Sequence, residues 1–342
     1  MNLEQHAITL SIPDIKQLVY RGNVDIYKVI KQSISAKKIE ILKQLIEIDS
    51  NLQENTPKYL KTASKVGNLE IFEYLLKHLD DNNMHRPKNY NKFLMEACCH
   101  GHLSIVKYIA ENKFLVHPNY LAAVETALHM NHMEIVKYLI DNNICTQIDY
   151  KKLLTKASEN NNVNAIKYLT EKIMEINRDK TKKEININNE CESALRISIE
   201  HNNSEITELF LKIGFNSYIN SGPCRWTPLE YACSEGHLEI IKLLLSYGAS
   251  KINAILHVRR GKTYEIYKCL ISAGADINQL DSITRYYLIK EFFEKCEFDI
   301  LIKIVDDIED DNIKKVINRL KNNRNNFFAN LKKINNVSII TF

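Results

Sequence analysis

The sequence predicts an all-α fold, a solenoid of stacked helix-turn-helix repeats joined by short hairpin loops. Three observations predict it. A ten-residue pattern recurs along most of the 342-residue chain. Each copy carries apolar residues at helical spacing, and a turn-forming residue and a small residue precede it at fixed distances. Gly (9) and Pro (6) are scarce, which excludes collagen-like and linker-rich chains and an all-β protein crowded with tight turns. With 45% hydrophobic residues the chain can bury a sizeable core.

The clearest copy is Gly236-His237-Leu238-Glu239-Ile240-Ile241-Lys242-Leu243-Leu244-Leu245. Counting from Gly236 as zero, apolar residues fall at +2, +4, +5, +8 and +9, one face of a helix. In chain order, copies of graded quality start at Gly22, Lys37, Gly67, Gly101, Asn131, Asn161, Asn202, Lys262 and Cys296. The first two lie 15 residues apart, too close for two full units, so a partial repeat is expected there. From Gly67 onward the spacings are 34, 30, 30, 41, 34, 26 and 34. Most approach the period of about 33 residues of a helix-turn-helix unit with its loop. The 41 predicts an insertion over Glu171–Asn189, with the basic run Arg178, Lys180, Lys182 and Lys183. The 26 predicts a loop shortened after Gly248-Ala249.

Four places ahead of the turn stands a small residue: Ala63, Ala97, Ala127, Ala157, Ser198 or Ala232. Two closely packed helices need one where they cross. Gly or Asn at the turn tolerates a left-handed backbone. Neither helix buries its apolar face alone, so stacking on the next unit supplies the rest of the core. The chain thus divides into three regions: divergent N-terminal repeats or cap at 1–55, the regular array at 56–278, and a divergent repeat with a basic cap at 279–342.

The stretch Arg225-Trp226-Thr227-Pro228-Leu229-Glu230-Tyr231-Ala232-Cys233-Ser234-Glu235-Gly236-His237 and its continuation to Ala249 resembles a near-consensus ankyrin repeat. Ser272-Ala273-Gly274-Ala275-Asp276-Ile277-Asn278 resembles the family's stretch between helix and hairpin. The resemblance implies an array of about eight to ten repeats and a non-enzymatic role in protein recognition. It places partner contacts on the concave helix face and the loop tips. Tyr90, Tyr120 and Tyr150 each stand eleven places before their turn, where the family has Gly near the hairpin tip. Rigid aromatics there are hot-spot candidates, unless they pack on the next loop instead. Trp226, one place nearer its turn, and Glu230, where the family has His, complete the candidates. The high content of Ile (45), Asn (37) and Lys (36) resembles that of ankyrin proteins of giant DNA viruses of amoebae, with AT-rich genomes.

Chemistry-bearing clusters are few. Cys98-Cys99-His100-Gly101-His102, with His129 and His132, has metal-ligand residue types. Yet Cys98 and Cys233 share one repeat position, and His102, His132 and His237 share another, where His is expected to cap and pack the turn. Arg260-Gly261-Lys262-Thr263 resembles the tail of a phosphate loop, but Leu256 stands where the first Gly is required. No metal, cofactor or small-molecule substrate is expected.

Lysine recurs at +6 (Lys28, Lys43, Lys107, Lys137, Lys167, Lys242 and Lys268) and predicts a solubilising outer stripe, with Tyr74, Tyr108, Tyr138 and Tyr168 beside it, partly buried. The net charge is +4, too mild to imply nucleic acid. An acidic run at Glu297–Asp311 precedes a basic segment at 312–342, which offers an alternative reading as a nucleic-acid or acidic-surface binder. A ubiquitin-ligase adaptor is another alternative, on a faint resemblance within residues 10–30. No signal peptide and no membrane-spanning run is expected, and the eight scattered cysteines suggest a reduced, intracellular protein. The expected partner is an unidentified protein, of a host cell if the chain is viral.

Overall fold

In the computed structural model the described residues are 9–305 without 83, 86, 88, 89, 113–118, 180–184, 186, 214–218, 221–225, 260–262 and 296, together with 314, 315, 318 and 322. Every regular element among them is helical. The chain divides into two compact units, residues 1–165 and 166–342.

The first unit holds α1 (Ile12–Tyr20), α2 (Ile26–Ser35), α3 (Ile39–Ile46), α4 (Leu52–Val66), α5 (Leu69–Asp81), α6 (Asn91–His100), α7 (Leu103–Glu111), α8 (Tyr120–His129), α9 (Met133–Asp141) and α10 (Tyr150–Glu159). The division falls near the start of α11 (Val163–Arg178). The second unit continues with α12 (Ile187–Glu200), α13 (Ser204–Lys212), α14 (Pro228–Glu235), α15 (Leu238–Ser246), α16 (Thr263–Ser272), α17 (Ser282–Glu294) and α18 (Phe298–Val305). In the first unit α2, α4, α6, α8 and α10 pack side by side as a row of first helices, with α5, α7 and α9 as the second row. In the second unit α12 packs on α14, and α13 on α15.

The repeat register holds throughout. Seven places before the turn, Leu60, Leu94, Val124, Leu154, Leu195, Leu229, Ile255 and Ile289 are all buried. So are Ile71, Ile105, Ile135, Ile206, Ile240, Ile266 and Ile300 at +4. Burying each such side chain contributes about 1.5–3 kcal/mol. The short spacing at the front has a simple origin. α2 is the second helix after Gly22 and the first helix before Lys37, and both turn residues are left-handed (φ 71° and 58°). The spacing of 26 has another. There the first helix contracts to a single 3₁₀ turn, Ala254–His257, entered through a left-handed Asn253. After the spacing of 41, α11 runs on to Arg178, and the Asn177 side chain clamps Ile185 by accepting from its N–H (2.8 Å) and donating to its carbonyl (2.9 Å). The rest of the basic run expected there, Lys180, Lys182 and Lys183, lies outside the described residues.

The turns explain part of the excess of Asn. Asn131, Asn161 and Asn202 are left-handed (φ 62°, 55° and 53°), as are Gly67, Gly101 and Gly236. Asn is the non-Gly residue that best tolerates this region. The side chain that covers each turn changes with the turn residue. His102 makes no hydrogen bond that caps its own helix, and the turn it packs is that of the preceding repeat. Its ring reaches back one repeat, bonds the Lys65 carbonyl (2.9 Å) and occupies the space a Cβ at Gly67 would need. His132 repeats this over Gly101, with the Cys99 carbonyl at 3.2 Å. Where Asn131 replaces Gly, Asn162 replaces His: its amide donates to Asn131 Oδ1 (2.7 Å) while its oxygen caps Ala165 N–H (3.0 Å). On the outer side the +6 lysines interleave with the tyrosines. Lys43 Nζ lies 5.9 Å from the Tyr74 ring centre and Lys107 Nζ 5.3 Å from that of Tyr138, each one repeat away.

Two glycine substitutions separate turn strain from this contact. In Gly236→Ala the new Cβ meets nothing within 4 Å among the described residues, so the change should cost only the backbone strain, about 1 kcal/mol. In Gly101→Ala the new Cβ would lie 2.6 Å from His132 Nδ1, so the loss should be larger by about 1–3 kcal/mol. Urea unfolding of both variants measures the difference; equal losses would refute the ring-over-turn contact.

Candidate functional site

The five candidate residues fall in three environments. Tyr90 is 3% and Tyr150 6% exposed, so neither ring stands at an open tip as expected. The Tyr90 ring meets Phe93 edge-on at 5.6 Å. The reason is helical period. Residues at −11, −8, −7 and −4 from the turn lie on one helix face, and that face is the core. Thr56, at −11 in its repeat, is buried too. Tyr120 is half-buried, and burial raises its hydroxyl pKa.

Glu230 is also buried, and its carboxylate starts α14. Thr227 N–H donates to Glu230 Oε2 (2.7 Å), and Glu230 N–H donates to Thr227 Oγ1 (3.3 Å). This reciprocal capping box satisfies backbone donors that would otherwise be orphaned.

Trp226 is different. It is 41% exposed, and its ring centre lies 4.9 Å from that of His257 in the following repeat. Trp226 sits ten places before its turn. The same position is held by Ile252 and Tyr286 in the next two repeats, 67% and 52% exposed. Leu256, Ile283 and Tyr287 add exposed apolar surface in the same region of the sequence. Sequence reasoning singled out Trp226 but passed over Ile252 and Tyr286, although the register connects them.

The residues with metal-ligand types are engaged elsewhere. Burial pushes the Cys98 thiol up to about 12. His132 Nε2 faces the Cys99 carbonyl, and His100 Nδ1 lies 3.0 Å from the Glu96 carbonyl. Among the described residues no three His, Cys, Asp or Glu side chains converge as metal ligands. No described helix is long and apolar enough to cross a membrane. Arg260, Gly261 and Lys262 lie outside the described residues, as does nearly all of 312–342.

The ankyrin repeats family (3 copies) matches residues 30–120, 94–181 and 179–255. A 64-residue stretch is 39% identical to the glycerophosphocholine phosphodiesterase GDE1 of Candida albicans, covering 19% of this chain. The chain spans 6% of the length of that relative.

The thiols give a direct check. Cys233, like Cys98, is raised to about 12 by burial. At about pH 8 both are therefore neutral thiols in the folded state, and only the thiolate attacks. Timed iodoacetamide labelling with mass mapping should modify half-buried Cys99 well before either; early modification of Cys98 or Cys233 would contradict their burial.

Proposed function

Because the chain belongs to the ankyrin repeat family, whose repeats form protein–protein interaction domains and are typically non-catalytic, we propose that it is a non-enzymatic scaffold that binds a partner protein through its first-helix face and loop tips. The observation that carries this reading is the run of exposed apolar residues in one register position, Trp226, Ile252 and Tyr286. Water-exposed aromatic and aliphatic side chains on a packed scaffold lose little entropy when a partner covers them, so they concentrate binding energy. Glu230 acts in this reading from below, by fixing the start of the helix that presents Trp226.

The partner is a protein rather than a small molecule, and no cofactor takes part. The similarity to the phosphodiesterase covers too little of that protein to bring its activity here. Free thiols at Cys98, Cys99, Cys145, Cys233 and Cys269 support an intracellular, reducing setting. The Ile, Asn and Lys excess supports a viral origin and hence a host-cell partner.

The test compares the wild-type chain with a Trp226→Ala, Ile252→Ala, Tyr286→Ala variant. All three side chains are exposed, so the helical circular dichroism should not change. Recovery of the partner from the source cell should fall, with affinity lower by about 2 kcal/mol or more. Undiminished recovery would remove this surface from the binding site.

A further inference from the structure

We propose that the first-helix face of the unit spanning residues 1–165 binds an extended acidic segment of a partner protein. This rests on the protein-interaction reading above and gives that face its chemistry.

The face is a lysine surface. On α4, Lys58, Lys61 and Lys65 recur at the spacing of one helix side, and all three are exposed. On α6, Lys92 is exposed. On α10, Lys151 and Lys152 are exposed and Lys156 is half-exposed. These helices and α8 pack as one row, and two ion pairs show that their outward positions adjoin. Lys61 reaches from α4 to Glu96 on α6 (3.0 Å), and Lys152 reaches from α10 to Glu125 on α8 (2.7 Å). Those carboxylates are thus already engaged. Between positions −10 and −2 of these four helices the only other acid is Glu159. Lys65, Lys92, Lys151 and Lys156 keep no anionic partner among the described residues. Between α4 and α6 the surface dips into a groove of about 440 Å³ lined by Lys61, Asn91, Lys92, Met95 and Glu96. An apolar side chain fits beside Met95, with carboxylates reaching the lysines on either side.

The same residues argue for a peptide over a nucleic acid. The exposed and half-exposed positions among these carry no Arg, Phe, Tyr or Trp; Tyr59 and Phe93 are buried. Single-stranded nucleic acids use such side chains as stacking platforms. Packed helices lie about 10 Å apart. Four of them are therefore crossed by about ten residues of extended chain.

The test uses the full chain and a fluorescein-labelled peptide of about twelve residues alternating Asp or Glu with Leu, spanning the row with a residue to spare at each end. An amide counterpart with Asn and Gln and an oligo-uridylate of equal charge serve as comparisons. The acidic peptide should bind at least about tenfold tighter than the amide form and weaken between about 50 and 200 mM salt. A Lys65→Gln, Lys92→Gln, Lys151→Gln, Lys156→Gln variant should lose about tenfold, while Lys107→Gln, Lys242→Gln on second helices should lose nothing. The single variants Lys92→Gln and Lys156→Gln, losing about two- to threefold each, serve if the fourfold variant does not fold. Equal binding of the acidic and amide peptides, unaltered binding by the lysine variants, or tighter binding of the oligo-uridylate would each overturn the proposal. Failure of the acidic peptide, with partner recovery still dependent on Trp226, Ile252 and Tyr286, removes the acidic segment alone. Failure of both removes the interaction reading.

Discussion

Everything in this array depends on one corner, repeated. Each helix pair needs a residue in the left-handed region between its helices, and the next repeat must cover that residue without striking a Cβ. Gly67 with His102 and Gly101 with His132 meet both demands at once. The imidazole fills the space that glycine leaves, and its nitrogen takes a carbonyl that ends the preceding helix. Such carbonyls are otherwise orphaned, and burying one without a partner costs about 1–3 kcal/mol. Asn131 with Asn162 solves the problem by another route, exchanging ring packing for an amide pair. The two solutions do not mix freely, because a ring needs an empty Cβ position and an amide needs a polar partner.

Much of this fold was legible because helical burial repeats locally. The Leu and Ile positions, the small residue at −4 and the Asn-for-Gly exchange all come from counting along one repeat. Two things were not. The reach of His102 to Lys65 joins residues in different repeats, and a pattern read within one repeat assigns such a histidine to its own helix. The burial of Tyr90 and Tyr150 was left open against exposure at a loop tip, for a different reason. Measured from the turn they look like loop residues, but the helical period of −4, −7 and −11 carries them onto the core face. The exposed Ile252 and Tyr286 stayed hidden because their turns lack the Gly that marks the clearer copies.

The two units also divide the kinds of surface they offer. Residues 1–165 present lysines along α4, α6 and α10, where no large apolar side chain is exposed among the described residues. The later repeats present Trp226, Ile252 and Tyr286, where apolar surface is open and charge is mixed. Charge steers encounter and apolar anchors slow dissociation, so a scaffold carrying both separates capture from retention.

His237 breaks the pairing rule, and the break has a mechanical meaning. It is the histidine form of the corner set after Asn202 rather than after Gly, and its Nε2 is buried with no partner among the described residues. At the corner after it, a Cβ on Gly236 would meet nothing within 4 Å among the described residues, and the next first helix is reduced to one 3₁₀ turn. In a one-dimensional array each interface is held only by its neighbours. Weak joints in succession therefore act as a tear line. An array pulled or warmed would part there first.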